Sequence, residues 1–263
     1  MQRFPFRVGS TSYVFPAGLA ENARRLAAQG LSQDMELVLF DLENGPSNFP
    51  DAATVQALGE VAADYDLTYT VHLPLDLRLA DDGGRASVSL QKAQRVIEAT
   101  LPLEPAAYVG HLGGTDNHAS NWAARATAAL QIVAGWLPSP ELLAIENLDG
   151  YNLDKVASVL AALPLKGPVS RTLDIGHLWK QGRDPLPVLA EWLPTTRVVH
   201  LHGFDAAQGR DHVSLAVMPA AQLDPVLAAL RDYQGVLTLE VFEDAFFSSR
   251  AALLAGWDRV QAS

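Results

Sequence analysis

Short apolar runs recur along the chain, and Ala/Leu-rich segments separate them. The runs cover residues 7–10, 35–40, 68–72, 107–111, 142–146, 169–174, 197–201 and 236–241. Their length and their Val, Leu, Ile and Thr content predict strands. The stretches between them, including 19–29, 51–65, 87–100, 121–136 and 153–163, are dominated by Ala, Leu, Gln, Glu and Arg and predict helices. Asp51 stands where an N-cap belongs, and Pro164, Pro194 and Gly235 fall where helices should have stopped. Eight strands alternating with helices predict an α/β fold: a single (β/α)8 TIM barrel over residues 1–263. An open doubly wound sheet is the competing arrangement. It usually opens with a Gly-rich turn, whereas the first run here leads into Gly9-Ser10-Thr11-Ser12-Tyr13.

The polar residues fall at the ends of these runs. The third ends in His72, the fourth in His111, the fifth in Glu146, the sixth in Asp174, the seventh in His200-Leu201-His202 and the eighth in Leu239-Glu240-Val241. Barrel strands are parallel, so all these ends meet at one mouth. Side chains alternate along a strand, and parity sends Leu143, Ile145, Leu237 and Leu239 outward to the helices and Glu146, Thr238 and Glu240 inward. The same reasoning turns His72 inward with Thr70, and gives His200 and His202 a common face. His177 lies just past the sixth strand, with Trp179 in a loop after it. Asp211 and His212 are expected in the loop after the seventh.

Several carboxylates gathered at a barrel mouth would repel one another, and desolvation would oppose their ionisation. A divalent cation relieves both effects. Eight groups qualify as ligands: His72, His111, Glu146, Asp174, His177, His200, His212 and Glu240. That is more than one ion takes. Either two or three ions bind, or part of the set moves protons and holds substrate around one. Glu146 and Glu240 are the expected catalytic carboxylates. The chain has no Cys, so the donors are oxygen and nitrogen without sulfur. Such donors suit Zn²⁺ or Mn²⁺ first, one to three per chain, and Co²⁺ or Fe²⁺ better than Cu⁺. Asp76, Arg78 and Arg85, in and after the long third loop, together with Trp179 and His202, are the candidates for touching substrate. Asp41 and Glu43 are weaker candidates in the second loop. His118 is expected to be exposed, and Trp122, Trp136, Trp192 and Trp257 to pack in the core.

Composition narrows the partners. The formal net charge is −11, from 19 Lys+Arg against 30 Asp+Glu, and no basic run stands out. That argues against binding a long polyanion, and the expected partner is a small molecule, without nucleic acid or membrane. No apolar stretch reaches the length of a membrane span, and the first residues lack the apolar segment of a signal peptide, so a cytoplasmic location is the expectation.

Glu146-Asn147, Leu173-Asp174-Ile175-Gly176-His177, Val199-His200-Leu201-His202 and Glu240 resemble the AP endonuclease family 2 / sugar phosphate isomerase superfamily of xylose isomerase-like TIM barrels. The resemblance implies a one-metal set of Glu146, Asp174, His200 and Glu240 if the chain is like the isomerases and epimerases. It implies a three-zinc site that adds His72, His111, His177 and a downstream Asp-x-His if it is like the phosphodiesterases. Here the last motif departs, since Asp211 directly precedes His212. The segments Gly9-Ser10-Thr11-Ser12-Tyr13, Met35-Glu36-Leu37-Val38-Leu39-Phe40 and Leu67-Thr68-Tyr69-Thr70-Val71-His72-Leu73-Pro74-Leu75-Asp76-Leu77 are similar to cobamide-remodelling phosphodiesterases of the same superfamily. That similarity implies hydrolysis of a cobamide's nucleotide loop to cobinamide phosphate and an α-riboside. The competing expectations are a metal-dependent sugar or sugar-phosphate isomerase or epimerase, and a non-catalytic corrinoid- or sugar-binding barrel.

Overall fold

The computed structural model describes residues 4–40, 47–81, 83–112, 120–148 and 153–262. Eight parallel strands close into a barrel: β1 (Arg7–Thr11), β2 (Asp34–Val38), β3 (Thr68–His72), β4 (Tyr108–Gly110), β5 (Leu143–Glu146), β6 (Ser170–Asp174), β7 (Thr196–Leu201) and β10 (Val236–Leu239). They follow the chain around the ring, and β10 closes on β1. The helices are α1 (Leu19–Ala28), α2 (Ala52–Tyr65), α3 (Gly83–Thr100), α4 (Trp122–Gly135), α5 (Leu153–Ala161), α6 (Ile175–Lys180), α7 (Pro185–Trp192), α8 (Ala220–Ala229) and α9 (Glu243–Ala262).

Two features differ from the sequence expectation. The stretch after β6 is the short helix α6, so His177 and Trp179 are helical. The stretch after β7 is an antiparallel hairpin of β8 (Gly203–Asp205) and β9 (Arg210–Val213), which puts Asp211 and His212 on a strand. Short-range chemistry sets other boundaries. Asp51 caps α2 by accepting from the Thr54 backbone N–H at 2.8 Å. Asp184 caps α7 ahead of Pro185, whose fixed φ suits a first helical position. His118, Asp41 and Glu43 lie outside the described residues. Among the described residues no helix is long and apolar enough to cross a membrane.

Alternation along the strands separates two interiors. Outward residues such as Tyr69, Val71, Ile145, Leu173, Val199, Leu201, Leu237 and Leu239 join the large core under the helices, which also takes in Trp122, Trp192 and Trp257, with Trp136 packed at its edge. Inside the barrel, Ala107, Val109, Ala144 and Val198 form a small apolar cluster of their own. The rest of the barrel axis is polar. Asp34, Glu36, Thr70, Thr172, His200 and Thr238 are all fully buried.

Asp34 shows the cost of that polar interior. It is sealed inside the barrel, and burial pushes its carboxyl up to about 7, although Thr68 Oγ1 donates to its Oδ2 at 2.6 Å. A carboxyl raised on folding holds a proton that the unfolded chain has lost, so stability falls as pH rises from about 4 to about 7 and then levels off. Asp34→Asn should remove that slope. Its stability relative to the parent should rise between pH 5 and pH 8 by a few kcal/mol, on the order of 4 at most. Urea denaturation of both chains at the two pH values reads the difference, and a stability difference that is the same at pH 5 and pH 8 would contradict it.

Candidate metal centre

The end residues of β3 to β7, with residues just beyond β4 and β10, converge on one cage. Asp174 closes β6 and also caps α6, its Oδ1 accepting from the His177 backbone N–H at 2.7 Å. One carboxylate therefore fixes the start of the helix that carries the next imidazole. Asn147 holds Asp174 from the neighbouring strand. Its Nδ2 donates to the Asp174 carbonyl (2.9 Å), and its Oδ1 accepts from the Asp174 N–H (2.8 Å). This is the structural reason for the Glu146-Asn147 pair.

The donor atoms fall into sets whose members lie within 4.8 Å of one another: His72, His111 and Glu146; Glu146, Asp174, His200 and Glu240; His177, His202 and His212; and a fourth, overlapping set of Glu36, His72 and Glu240. Glu146 belongs to the first two. Its Oε2 lies 3.3 Å from His72 Nε2 and 3.0 Å from His111 Nε2, and its Oε1 lies 3.6 Å from His177 Nδ1. Asp174 sits between the second and third sets, 3.3 Å from both His177 Nδ1 and His202 Nε2.

Backbone carbonyls orient several of these rings. His72 Nδ1 lies 2.7 Å from the Leu73 carbonyl and His177 Nδ1 3.1 Å from the Asn147 carbonyl. Donation there leaves each Nε2 as a lone pair for a cation. His200 is held by Glu36, to which its Nε2–H donates at 2.9 Å in a fully buried pair. Its Nδ1 is buried without a hydrogen-bond partner, 3.3 Å from the equally unpartnered Glu240 Oε2. Two orphaned, sealed donor atoms side by side are what a cation would complete, so the residues fit a divalent ion.

The charge state agrees. Burial works against ionisation throughout, yet His200, His111 and further imidazole contacts hold the Glu146 carboxyl well below its ordinary range. His202 and His177 do the same for Asp174, and His200 for Glu240. In return the carboxylates raise the imidazoles against desolvation: His72 and His202 to about 9, His200 well above its ordinary value and His177 upward. Protons on the rings balance the carboxylates. A divalent ion would take over that balance and release them.

Glu36 and His202 are the residues that the sequence reading placed wrongly or missed. Glu36 was legible only as one acid in the run Met35-Glu36-Leu37-Val38, although it shares parity with Asp34 on a strand whose other face is apolar. His202, expected to touch substrate, is fully buried among ligands, with its ring stacked on His212 at 4.1 Å. Asp211, the nearest counterpart of the Asp of the family's Asp-x-His, is bound instead by Lys180 Nζ at 2.6 Å. His202 fills out the third set. His212 adopts φ 49°, the left-handed region that non-glycine residues rarely occupy, and its backbone N–H donates to His202 Nδ1 at 3.1 Å. Two positions along α6 turn Trp179 about 200° from His177, and it lines a cavity of about 930 Å³ with Phe204, Met218 and Pro225. Asp76 and Arg78 lie on the β3–α3 connection and Arg85 in the first turn of α3; Lys92 donates to Asp76 at 2.6 Å and Arg85 reaches Asp81 at 3.9 Å.

A closed parallel barrel with carboxylates and imidazoles gathered at the C-terminal mouth defines the class: a (β/α)8 barrel with a candidate polynuclear metal centre. The chain belongs to the xylose isomerase-like TIM barrel family, whose model matches residues 26–259. No curated protein matches the sequence. Among solved structures it is similar to a D-tagatose 3-epimerase-like protein, with 18% identity over 98% of this chain and 99% of that one and a TM-score of 0.79. It is similar to endonuclease IV from Thermus thermophilus, with 18% identity over 96% and 99% and a TM-score of 0.72. It is also similar to 3-keto-D-glucoside 4-epimerase from E. coli, with 16% identity over 98% and 100% and a TM-score of 0.71. At such identities the likeness is one of fold.

Proposed function

We propose that this chain is a metal-dependent phosphodiesterase that hydrolyses the nucleotide loop of cobamides, yielding cobinamide phosphate and an α-riboside, as CbiR does. The supporting observation is the surplus of ligands. One ion is satisfied by Glu146, Asp174, His200 and Glu240, yet His72, His111, His177, His202 and His212 stand beside them in two further sets. An enzyme that polarises a sugar carbonyl with one ion has no use for five more imidazoles. A phosphodiester, with charge on two non-bridging oxygens and a poor alkoxide leaving group, does.

Bound divalent ions would supply Lewis acidity toward the phosphoryl oxygens and toward water. The chain's own contribution is to hold that chemistry in register. Glu146, shared by two sets, fixes their separation, and Asp174 couples the second set to the third. Glu36 keeps His200 in the tautomer with a bare Nδ1. Glu240 lies at the lip and is slightly exposed, so its carboxylate is placed to exchange a proton with water. Arg78 on the β3–α3 connection and Arg85 in the first turn of α3 would meet the anionic diester.

The second reading, a sugar epimerase, is favoured by the names of several similar structures and by the four-ligand set taken alone. In that reading Glu146 and Glu240 would pass a proton on either face of the substrate. Elemental analysis of the purified chain, paired with incubation on an intact cobamide and mass spectrometry of the products, separates the two. Two or three ions per chain and a new phosphomonoester are expected. One ion, an intact cobamide, and solvent deuterium entering a ketose at carbon would replace the phosphodiesterase with the epimerase.

A further inference from the structure

Nine large hydrophobic side chains are exposed among the described residues, and they are not scattered. Phe40, Leu75 and Phe242 follow β2, β3 and β10, and Val88, Leu186, Val217 and Phe247 lie just before or within the first two turns of helices that start at the mouth. Only Tyr65 and Ile132 lie away from it. Single exposed hydrophobics need no explanation, but a group of them around a polar cage does.

The arc is best formed where β10, β1, β2 and β3 stand side by side. The Tyr13 and Phe242 rings lie 4.9 Å apart at an interplanar angle of 35°. Thr11 Oγ1 donates to the Val241 carbonyl at 3.4 Å and ties the two loops together, so the ring pair is positioned by the barrel itself. Tyr13 is half-buried, while Phe242 is 59% exposed. The pair adjoins the cage. Burial and the nearby Glu240 carboxylate both push the Tyr13 phenol above its ordinary value. Phe40, 39% exposed, and Leu75, 60% exposed, continue the apolar edge over the next two loops.

We infer that Tyr13 and Phe242, extended by Phe40 and Leu75, form a substrate subsite for a flat apolar ring held beside the ligand cage. The inference rests on the phosphodiesterase reading, because it takes the ring to be part of the molecule cleaved there. A small sugar would need hydrogen-bonding groups along this edge. A conjugated ring needs broad apolar contact and an aromatic face, and this edge provides both. One part of a cobamide has that chemistry, the flat base of the nucleotide, whereas the corrin ring is rimmed with amides and carries axial ligands on its faces.

The test is binding, read without turnover, on the full chain. Cobinamide carries the macrocycle and no scissile diester, and α-ribazole carries the base. Titration by calorimetry should show α-ribazole bound by the parent and about tenfold more weakly by Phe242→Ala, with any binding of cobinamide unchanged. Phe242→Tyr should restore the affinity, and the metal content of all three chains should be the same. A Phe242 effect on cobinamide and none on α-ribazole would overturn the assignment to the base. If Phe242→Ala binds both probes as the parent does, or if the parent binds neither, the subsite is wrong. The two readings fail separately. A chain that cleaves cobamides while showing no Phe242 effect keeps the hydrolase and loses the subsite. One that binds a probe through Phe242 but leaves every phosphodiester intact keeps the subsite and loses the hydrolase.

Discussion

Glu146→Gln is expected to lower phosphodiester turnover by about a thousandfold and to reduce the number of ions the chain retains. The substitution preserves shape, so its effect is chemical. Glu146 is 3% exposed and stands among three imidazole nitrogens on one side, His72 Nε2 at 3.3 Å, His111 Nε2 at 3.0 Å and His200 Nδ1 at 3.6 Å. An amide brings no charge, and its NH₂ group presents hydrogens where a cation needs a lone pair. Because Glu146 belongs to two donor sets, both are weakened together, whereas loss of His111 would weaken one. Turnover and elemental analysis of the variant read the two effects. Near-parent turnover would remove Glu146 from the mechanism, and with it the case for a shared centre.

Gly176→Ala should damage the third set selectively. A Cβ at this position would lie 2.0 Å from His202 Cε1 and 2.2 Å from its Nδ1. The ring has no retreat. Its Nε2 faces Asp174, its Nδ1 lies between the His212 N–H and the Gly203 carbonyl, and His212 stacks on its face. Gly203 cannot shift easily either, since its own approach to the Ser214 carbonyl leaves no room for a side chain. The expected result is one fewer ion per chain, with those of the Glu146 sets retained, and a loss of stability of about 1–3 kcal/mol from overpacking. Metal content and thermal unfolding measure this, with Gly59→Ala as the control. Gly59 sits in α2 with nothing within 4 Å, so alanine there should be neutral or stabilising. If Gly176→Ala keeps every ion, His202 is not a ligand.

The barrel and most of the cage were legible in the sequence because a strand's alternation carries positional information. Once Leu143 and Ile145 face the helices, Glu146 has to face the axis, and the same logic placed His72, Asp174, His200 and Glu240. Parity stops at the strand end. Past β6 the chain turns helical within one residue, and the period changes from two to 3.6. Trp179, read as a mouth residue, therefore points away from His177. Past β7 a hairpin brings His212 back onto His202, a pairing that no local period encodes. Glu36 was hidden for another reason. Its partner, His200, is distant in sequence and joins it only when the barrel closes, and two acids on one face of a short strand carry no mark of that closure.

The hairpin β8–β9 gives the third set a different origin from the other two. The four-ligand set is carried by strands of the barrel wall or by the residue just beyond one, and no change confined to a single connection can dismantle it. Of the third set, His202 lies where the hairpin begins and His212 lies on its returning strand. Shortening one connection would erase that set and leave the sealed wall untouched, and lengthening it again would restore it. A barrel built this way can gain or lose one ion by editing one loop, without having to refold around a new centre.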